Sequence, residues 1–299
     1  MSVAFATCSS LPDGSDDVQD LIGALAAEGV AAEPVTWDAD VDWSRHDLVV
    51  IRSTWDYTAR RDEFVAWAQG LPRVLNPAAI IRWNTDKRYL RDLAAAGVPV
   101  VPTLWDPDDI PAGWPEYVVK PAVSIGACDT ARWGPGEEDA ARAHLRSLRE
   151  AGRTAMVQPY LSAVDTAGET GLVYCDGEYS HAVSKAQILE AGAGVQRGPL
   201  SGETGLGQIT PATATPAELD LATRALAAVP HDGPLLYARV DMIPGPDGAP
   251  MLIELELTEP ALYLHHSPGS AEKLGVSICG VLARSNLASH AIACRQPRG

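Results

Sequence analysis

The sequence predicts an α/β protein that turns α+β in its C-terminal half, and three observations carry that expectation. Apolar strand-like runs alternate with amphipathic helical runs through the first 84 residues, the pattern of a parallel sheet covered by helices. Asp176-Gly177 and Asp247-Gly248 each stand between two strand-like runs, a strong short-range hairpin signal that implies antiparallel sheet late in the chain. The 299-residue length exceeds a usual single domain, so two or three subdomains sharing one long core are expected.

Element by element, residues 3–7 (VAFAT) read as a buried strand. Ser15 then caps a helix whose apolar face is Val18, Leu21, Ile22 and Leu25, closed by Gly29. Strands follow near 33–37 and at 47–53, with a helix over 60–69 built on Phe64, Val65 and Ala68. Asn84 and Thr85 offer an N-cap for a helix through Tyr89, Leu90 and Leu93, ended by Gly97 and Pro99. Next come a strand at 117–120 (YVVK), a polar glycine-containing turn at 124–129, a helix around 137–151 and a strand at 155–161. Residues 192–207 hold six glycines without periodicity, which reads either as a mobile lid or as an irregular surface loop. No internal repeat is visible. The expected division is 1–84, 85–163 and 164–299.

Composition excludes several function classes. With 39 acidic against 23 basic residues the net charge of −16 repels a phosphate backbone, so nucleic acid is a poor partner. The five cysteines are scattered and include no CxxC pair, which signals neither a disulfide framework nor a zinc site and fits a reducing cytoplasm. The N-terminal stretch MSVAFATCSS lacks a basic, then apolar, leader pattern, and no run approaches the length of a membrane span. No GxGxxG follows the first strand, where LPDGSDD stands, which weakens a dinucleotide-binding reading.

The segment richest in chemistry is YARVDMI at 237–243, joined across a GPDG turn to MLIELELTEP at 251–260. Strand alternation puts Arg239 and Asp241 on one face and Glu254 and Glu256 on one face of the partner strand. Three carboxylates so close repel one another unless a cation neutralises them, and hard oxygens suit Mg²⁺ holding a phosphate chain. A solvated hairpin face is the alternative, but Met242, Ile243, Leu252, Ile253, Leu255 and Leu257 read as buried. Lys87 in NTDKRYL, Lys120 at the end of YVVK and Lys185 closing EYSHAVSK are candidate phosphate contacts. Ser124 and Gly126, in the loop after Lys120, present backbone N–H groups that suit an anion. At 52–57, RSTWDY follows an apolar strand at the end where open α/β sheets bind ligands. Ser53, Thr54, Trp55, Asp56 and Tyr57 there read either as a grip for a small amino acid or as a capping turn packed on Trp55. His265 and His266 have no Cys or carboxylate spacing around them that suggests zinc.

Taken together, this order of elements over residues 80–282 resembles the ATP-grasp superfamily. The resemblance implies an ATP-grasp fold with an N-terminal parallel α/β domain, a central lysine-bearing domain and a C-terminal antiparallel-sheet domain. It implies that Lys87 and Lys120 contact ATP phosphates and that the short strand of Gln158, Pro159, Tyr160 and Leu161 supplies the adenine contacts, with backbone groups of Tyr160 and Leu161 meeting the base and Asp165 on the ribose. It also implies that Asp241, Glu254 and Glu256 hold Mg²⁺, with Glu256 standing where the family has Asn and adding a negative charge. Arg239 matches an arginine that faces the γ-phosphate and acyl phosphate, and Lys185 is expected to share in balancing charge. Within the superfamily, STWDY, NTDK and ELTEPALYLHHSPGSAEKL are similar to the O-ureido-D-serine cyclo-ligase group. That similarity implies an acyl phosphate on a small amino acid, closed into a ring by its own nitrogen. The alternative is an intermolecular carboxylate–amine ligase of the same fold, and a homo-oligomer is compatible with either.

Overall fold

The computed structural model describes residues 1–198 and 208–293. The chain opens with β1 (Ser2–Thr7), α1 (Asp16–Ala27), β2 (Ala31–Thr36), β3 (Leu48–Ser53), α2 (Arg61–Gly70) and β4 (Val74–Leu75), and then α3 (Ala78–Asn84) and α4 (Tyr89–Ala95). The middle holds β5 (Leu104–Trp105), β6 (Tyr117–Pro121), β7 (Ala131–Trp133), α5 (Glu138–Glu150), β8 (Ala155–Pro159) and α6 (Val164–Ala167). Last come β9 (Glu169–Cys175), β10 (Glu178–Lys185), β11 (Ile209–Ala212), α7 (Pro216–Ala227), β12 (Tyr237–Pro244), β13 (Pro250–Glu256) and α8 (Ser270–Ala293).

Three sheets organise these elements. The first is parallel, in the order β2-β1-β3-β4. The second, β5-β8-β6-β7, and the third, β11-β10-β9-β12-β13, are antiparallel, and both Asp-Gly hairpins fall in the third. The α/β to α+β expectation therefore holds. The inner strands of the parallel sheet, β1 and β3, are largely apolar because both faces are covered: β3 is buried at every position and β1 at all but Ser2, whereas the edge strand β2 is partly exposed. On one face Val18, Leu21 and Leu25 of α1 meet Leu274, Ile278 and Leu282 of α8, and on the other Phe64 stacks on Tyr57 beneath Trp37. Among the described residues no helix is long and apolar enough to cross a membrane.

One expectation is corrected. Asn84 does not cap the following helix; it ends α3, and Arg88 precedes α4. Its amide Nδ2 donates to Leu255 O at 2.7 Å and its Oδ1 accepts from Leu257 N at 2.7 Å, clamping the end of β13. Asn76 acts similarly, donating to Tyr237 O and Leu257 O and accepting from Leu236 N. Ser15 precedes α1 as expected but makes no capping bond with its side chain; its hydroxyl instead accepts from Ser53 at 3.0 Å.

The segment after β13 is held almost atom by atom. Trp55 Nε1 donates to Glu259 O at 3.0 Å and Arg52 Nη2 to Pro260 O at 2.8 Å. The buried Asp17 carboxylate accepts from Leu262 N at 2.6 Å and from Leu264 N at 2.9 Å. Backbone carbonyls and amides taken out of water need such partners, so this irregular stretch is as fixed as a strand. That fixity lets Glu259 and Tyr263 serve as walls of a site.

Candidate functional site

A cavity of about 310 Å³ lies where the three sheets meet. The central sheet contributes Val118 and Lys120 of β6 and the loop residues Ser124–Ala127 and Thr130. Opposite stand Glu169 of β9, Lys185 of β10, Arg239 and Asp241 of β12, and Glu254, Leu255 and Glu256 of β13. Trp55, Asp56, Tyr57, Asn84 and Lys87 close one side, with Glu259, Ala261 and Tyr263 beside them.

The hairpin register brings the four expected charges together: Arg239 pairs with Glu256 and Asp241 with Glu254 across the two strands. A bulge just beyond, between Asp241 and Met242, gives β13 an extra residue before the turn. Arg239 lies flat against Asp241, with Nε 2.9 Å from Oδ1 and Nη2 2.9 Å from Oδ2. The same guanidinium bonds Glu256 and donates through Nη1 to Ala261 O at 2.8 Å. Gly171 of β9 makes room for this pair, since a Cβ there would fall 2.9 Å from Asp241 Oδ1.

Cations answer most of the carboxylates. Lys185 Nζ lies 2.8 Å from Asp241 Oδ2 and also bonds Glu169. Lys87 Nζ lies 3.0 Å from Glu254 Oε1 and donates to Ser124 O at 2.6 Å, tying the hairpin to the loop after β6. Lys120 differs: it is buried, and among the described residues its ammonium makes no hydrogen bond or ion pair, so burial lowers its pKa to about 8. Burial alone would raise the Asp241 carboxyl, but Arg239 and Lys185 beside it hold it down at about 2. Burial outweighs Arg239 at Glu256, which is pushed up to about 7.

As a donor set, Asp241, Glu254 and Glu256 are hard oxygens that fit a divalent ion by chemistry. The present rotamers pair each of them with a cationic side chain, and among the described residues no three His, Cys, Asp or Glu side chains are grouped to hold a metal. The loop after Lys120 turns sharply, with Gly126, Ala127 and Asp129 all at positive φ. Gly126 supplies that turn without steric cost, whereas Ala127 takes it at some.

Of the expected substrate residues, Trp55, Asp56 and Tyr57 line the cavity. Ser53 and Thr54 are buried behind them, Ser53 donating to Ser15 Oγ at 3.0 Å. Gln158, Tyr160, Leu161 and Asp165 are not in this lining. Gln158 donates to Thr103 at 2.8 Å within the central sheet, and the Tyr160 N–H is taken by Glu116 O at 2.9 Å. Asp165 pairs with Arg132, whose guanidinium lies 3.6 Å over the Tyr160 ring, and also accepts from the Tyr160 hydroxyl. Of the expected lid, residues 192–198 are described and 199–207 lie outside the described residues. Gln196 bonds both ways with the loop after β6, accepting from Asp129 N and donating to Thr130 O. Glu169 and Glu259 were not anticipated: Glu169 sits in no motif, and Glu259, although inside the MLIELELTEP segment, was given no role there.

The architecture is that of ATP-grasp ligases. The crystal structure of D-alanine–D-alanine ligase from Bacillus anthracis shares it with a TM-score of 0.61 at 16% identity, covering 97% of this chain and 99% of that one. Closer similarity narrows the class. The chain is 38% identical over 278 residues to the cycloserine biosynthesis protein DcsG of Streptomyces lavendulae, which spans 85% of this chain and 90% of the relative. A crystal structure of D-cycloserine synthetase DcsG matches with a TM-score of 0.85 at 33% identity, covering 94% of this chain and all of that one, 100%. Residues 3–76 match the family described as D-cycloserine synthetase DcsG, N-terminal domain. The chain belongs to the D-cycloserine synthetase family, and it is an ATP-dependent ligase.

Proposed function

We propose that the chain activates the carboxylate of O-ureido-D-serine as an acyl phosphate and closes the ring through the substrate's own ureido nitrogen, giving D-cycloserine. The supporting observation is the cross-strand quartet Arg239, Asp241, Glu254 and Glu256, with Lys185 bonded to Asp241, Lys87 to Glu254 and Lys120 lining the same cavity, in a chain of this family. Phosphoryl transfer asks little covalent help of a protein; it needs positioning and charge neutralisation. Lys120, without an anionic partner, and Lys87, beside the loop of Ser124 and Gly126, receive the phosphates. The apolar wall of Val118, Ile188 and Leu255 suits the base. Asp241, Glu254 and Glu256 would hold Mg²⁺, which when bound neutralises charge on the β- and γ-phosphates.

The substrate carboxylate attacks the γ-phosphorus, ADP leaves, and Arg239 with Lys185 balances the charge that develops. The ureido nitrogen attacks the acyl carbon, loses its proton and expels phosphate, while the carbamoyl group is hydrolysed to carbon dioxide and ammonia. An intramolecular nucleophile needs no second amine site and profits from a large effective molarity. Residues 1–84 supply the substrate wall through Trp55, Asp56 and Tyr57, residues 85–163 the phosphate contacts, and residues 164–299 the carboxylates. The 192–207 segment is assigned to shielding the acyl phosphate from water. The test is ADP release with ATP, Mg²⁺ and O-ureido-D-serine and no added amine. Equal amounts of ADP and D-cycloserine are expected; ADP only on addition of a separate amine overturns the reading in favour of an intermolecular ligase.

A further inference from the structure

Six carboxylates line the cavity: Asp56, Glu169, Asp241, Glu254, Glu256 and Glu259. Five have a cationic side chain within ion-pair distance: Arg60 for Asp56, Lys185 for Glu169, Arg239 and Lys185 for Asp241, Lys87 for Glu254, and Arg239 for Glu256. Among the described residues Glu259 has none. The buried Tyr57 hydroxyl is the polar side chain that acts on its carboxyl group, and the residue is 8% exposed.

A carboxylate taken out of water without a cation is unfavourable, and either a proton or an arriving cation relieves the cost. Burial, with Glu256 adding to it, pushes the Glu259 carboxyl up to about 8, although the Tyr57 bond pulls the other way. The position is not an accident of a loose loop. The Glu259 carbonyl is fixed by Trp55 Nε1, and the next two residues are held by Arg52 and Arg239. Glu259 lines the cavity together with Trp55 and Tyr57, residues of the N-terminal sheet's strand end. A zwitterionic amino acid spanning the cavity would set its carboxylate toward Arg239 and its ammonium toward the one lining acid that lacks a counter-ion.

We propose that Glu259 anchors the α-ammonium group of the amino acid substrate, with Tyr57 fixing the orientation of its carboxyl group. This inference rests on the proposed function for the class of substrate but not for ring closure. It makes the enzyme selective for α-amino acids over otherwise identical acids, and it assigns that selectivity to a residue outside the phosphate-handling machinery.

The experiment compares D-serine with 3-hydroxypropionate, which lacks only the amino group, binding calorimetrically to the protein loaded with Mg²⁺ and a non-hydrolysable ATP analogue. Wild type should prefer D-serine by about tenfold or more, the range of a charge-assisted hydrogen bond. Glu259→Gln, which keeps the size of the side chain and removes its charge, should reduce that preference to about threefold or less, and Tyr57→Phe should fall between. In turnover, Glu259→Gln should raise KM for the amino acid by about tenfold while kcat and KM for ATP stay within about threefold. An undiminished preference in Glu259→Gln, or no preference in wild type, overturns the anchor. So does a fall in kcat at constant KM, which would make Glu259 a proton-transfer group. A shifted half-saturating Mg²⁺ concentration would make it an ion ligand and likewise overturn the anchor. Should Glu259→Gln fail to fold by circular dichroism, the wild-type contrast and Tyr57→Phe decide. A protein that shows the amine preference but forms no ring loses the cyclo-ligase reading and keeps this one.

Discussion

Lys120 should make nucleotide affinity depend on pH in a direction and a range fixed by its surroundings. Its ammonium ends a buried strand and has no anionic partner, so burial brings its pKa from 10.5 to about 8, with Glu254 opposing and Lys87 adding to the effect. A polyphosphate beside it favours the charged form and raises that value. Below about pH 8 both free and bound protein carry the proton, and affinity is flat. Above it the free protein has lost a proton that the complex retains, so affinity falls roughly tenfold per pH unit, or about tenfold by pH 9. The stability of the nucleotide-free protein runs the other way. A lysine whose folded pKa lies below its unfolded value destabilises the fold at neutral pH, and that loss fades as pH rises from about 8 toward 10.5. The assay is calorimetric ADP binding with Mg²⁺ from pH 7.5 to 9.5 in two buffers of different ionisation enthalpy, which also counts protons taken up. Lys120→Arg keeps its charge throughout and should flatten the profile. Wild-type affinity that stays constant to pH 9.5, or an equal slope in Lys120→Arg, would rule out Lys120 as the titrating group.

Other perturbations have equally definite outcomes. Glu254→Gln removes the carboxylate facing Asp241 while leaving a side chain of equal size; ADP release should drop about a hundredfold or more with an unchanged circular dichroism spectrum, and turnover within threefold of wild type would contradict its role. Asn76→Ala strips three hydrogen bonds from buried backbone groups, so urea unfolding should show a loss of about 3 kcal/mol, and less than about 1 kcal/mol would mean water replaces the amide. Gly171→Ala places a Cβ against Asp241 and should reduce kcat/KM about tenfold or more by parting Asp241 from Arg239; full activity would show that the pair tolerates the shift.

What the sequence disclosed follows the range of the interactions. Strand alternation and the Asp-Gly turns are local, and so the gathering of Arg239, Asp241, Glu254 and Glu256 on one hairpin could be read before any fold was known, whereas the pairing of Arg239 with Glu256 and Asp241 with Glu254 depends on the bulge between Asp241 and Met242. Lys87 and Lys120 were legible as lysines at ends of elements, and the structure places both at the cavity. The misreading of Asn84 has a clear cause: Asn-Thr before a helix fits a cap, but the amide is used by backbone at Leu255 and Leu257, far along the chain. Glu259 was missed for the same reason, since its burial depends on Tyr57 and Trp55, some 200 residues earlier. Helix α7 went unread although Thr215 and Glu218 form a complete capping box, a signal within four residues that was simply available. The strand end at 158–161, expected to meet the base, lies outside the cavity lining, with Gln158 Nε2 bonded to Thr103 and the Tyr160 N–H to Glu116.

Conversion of the substrate carboxylate into an acyl phosphate in this cavity leaves an isotopic trace. With O-ureido-D-serine labelled with ¹⁸O in its carboxylate, and with ATP and Mg²⁺, the phosphate released should carry one labelled oxygen per turnover, because the attacking carboxylate oxygen leaves with phosphorus when nitrogen closes the ring. Unlabelled phosphate would mean that water, not the carboxylate, receives the phosphoryl group, and the account would be wrong.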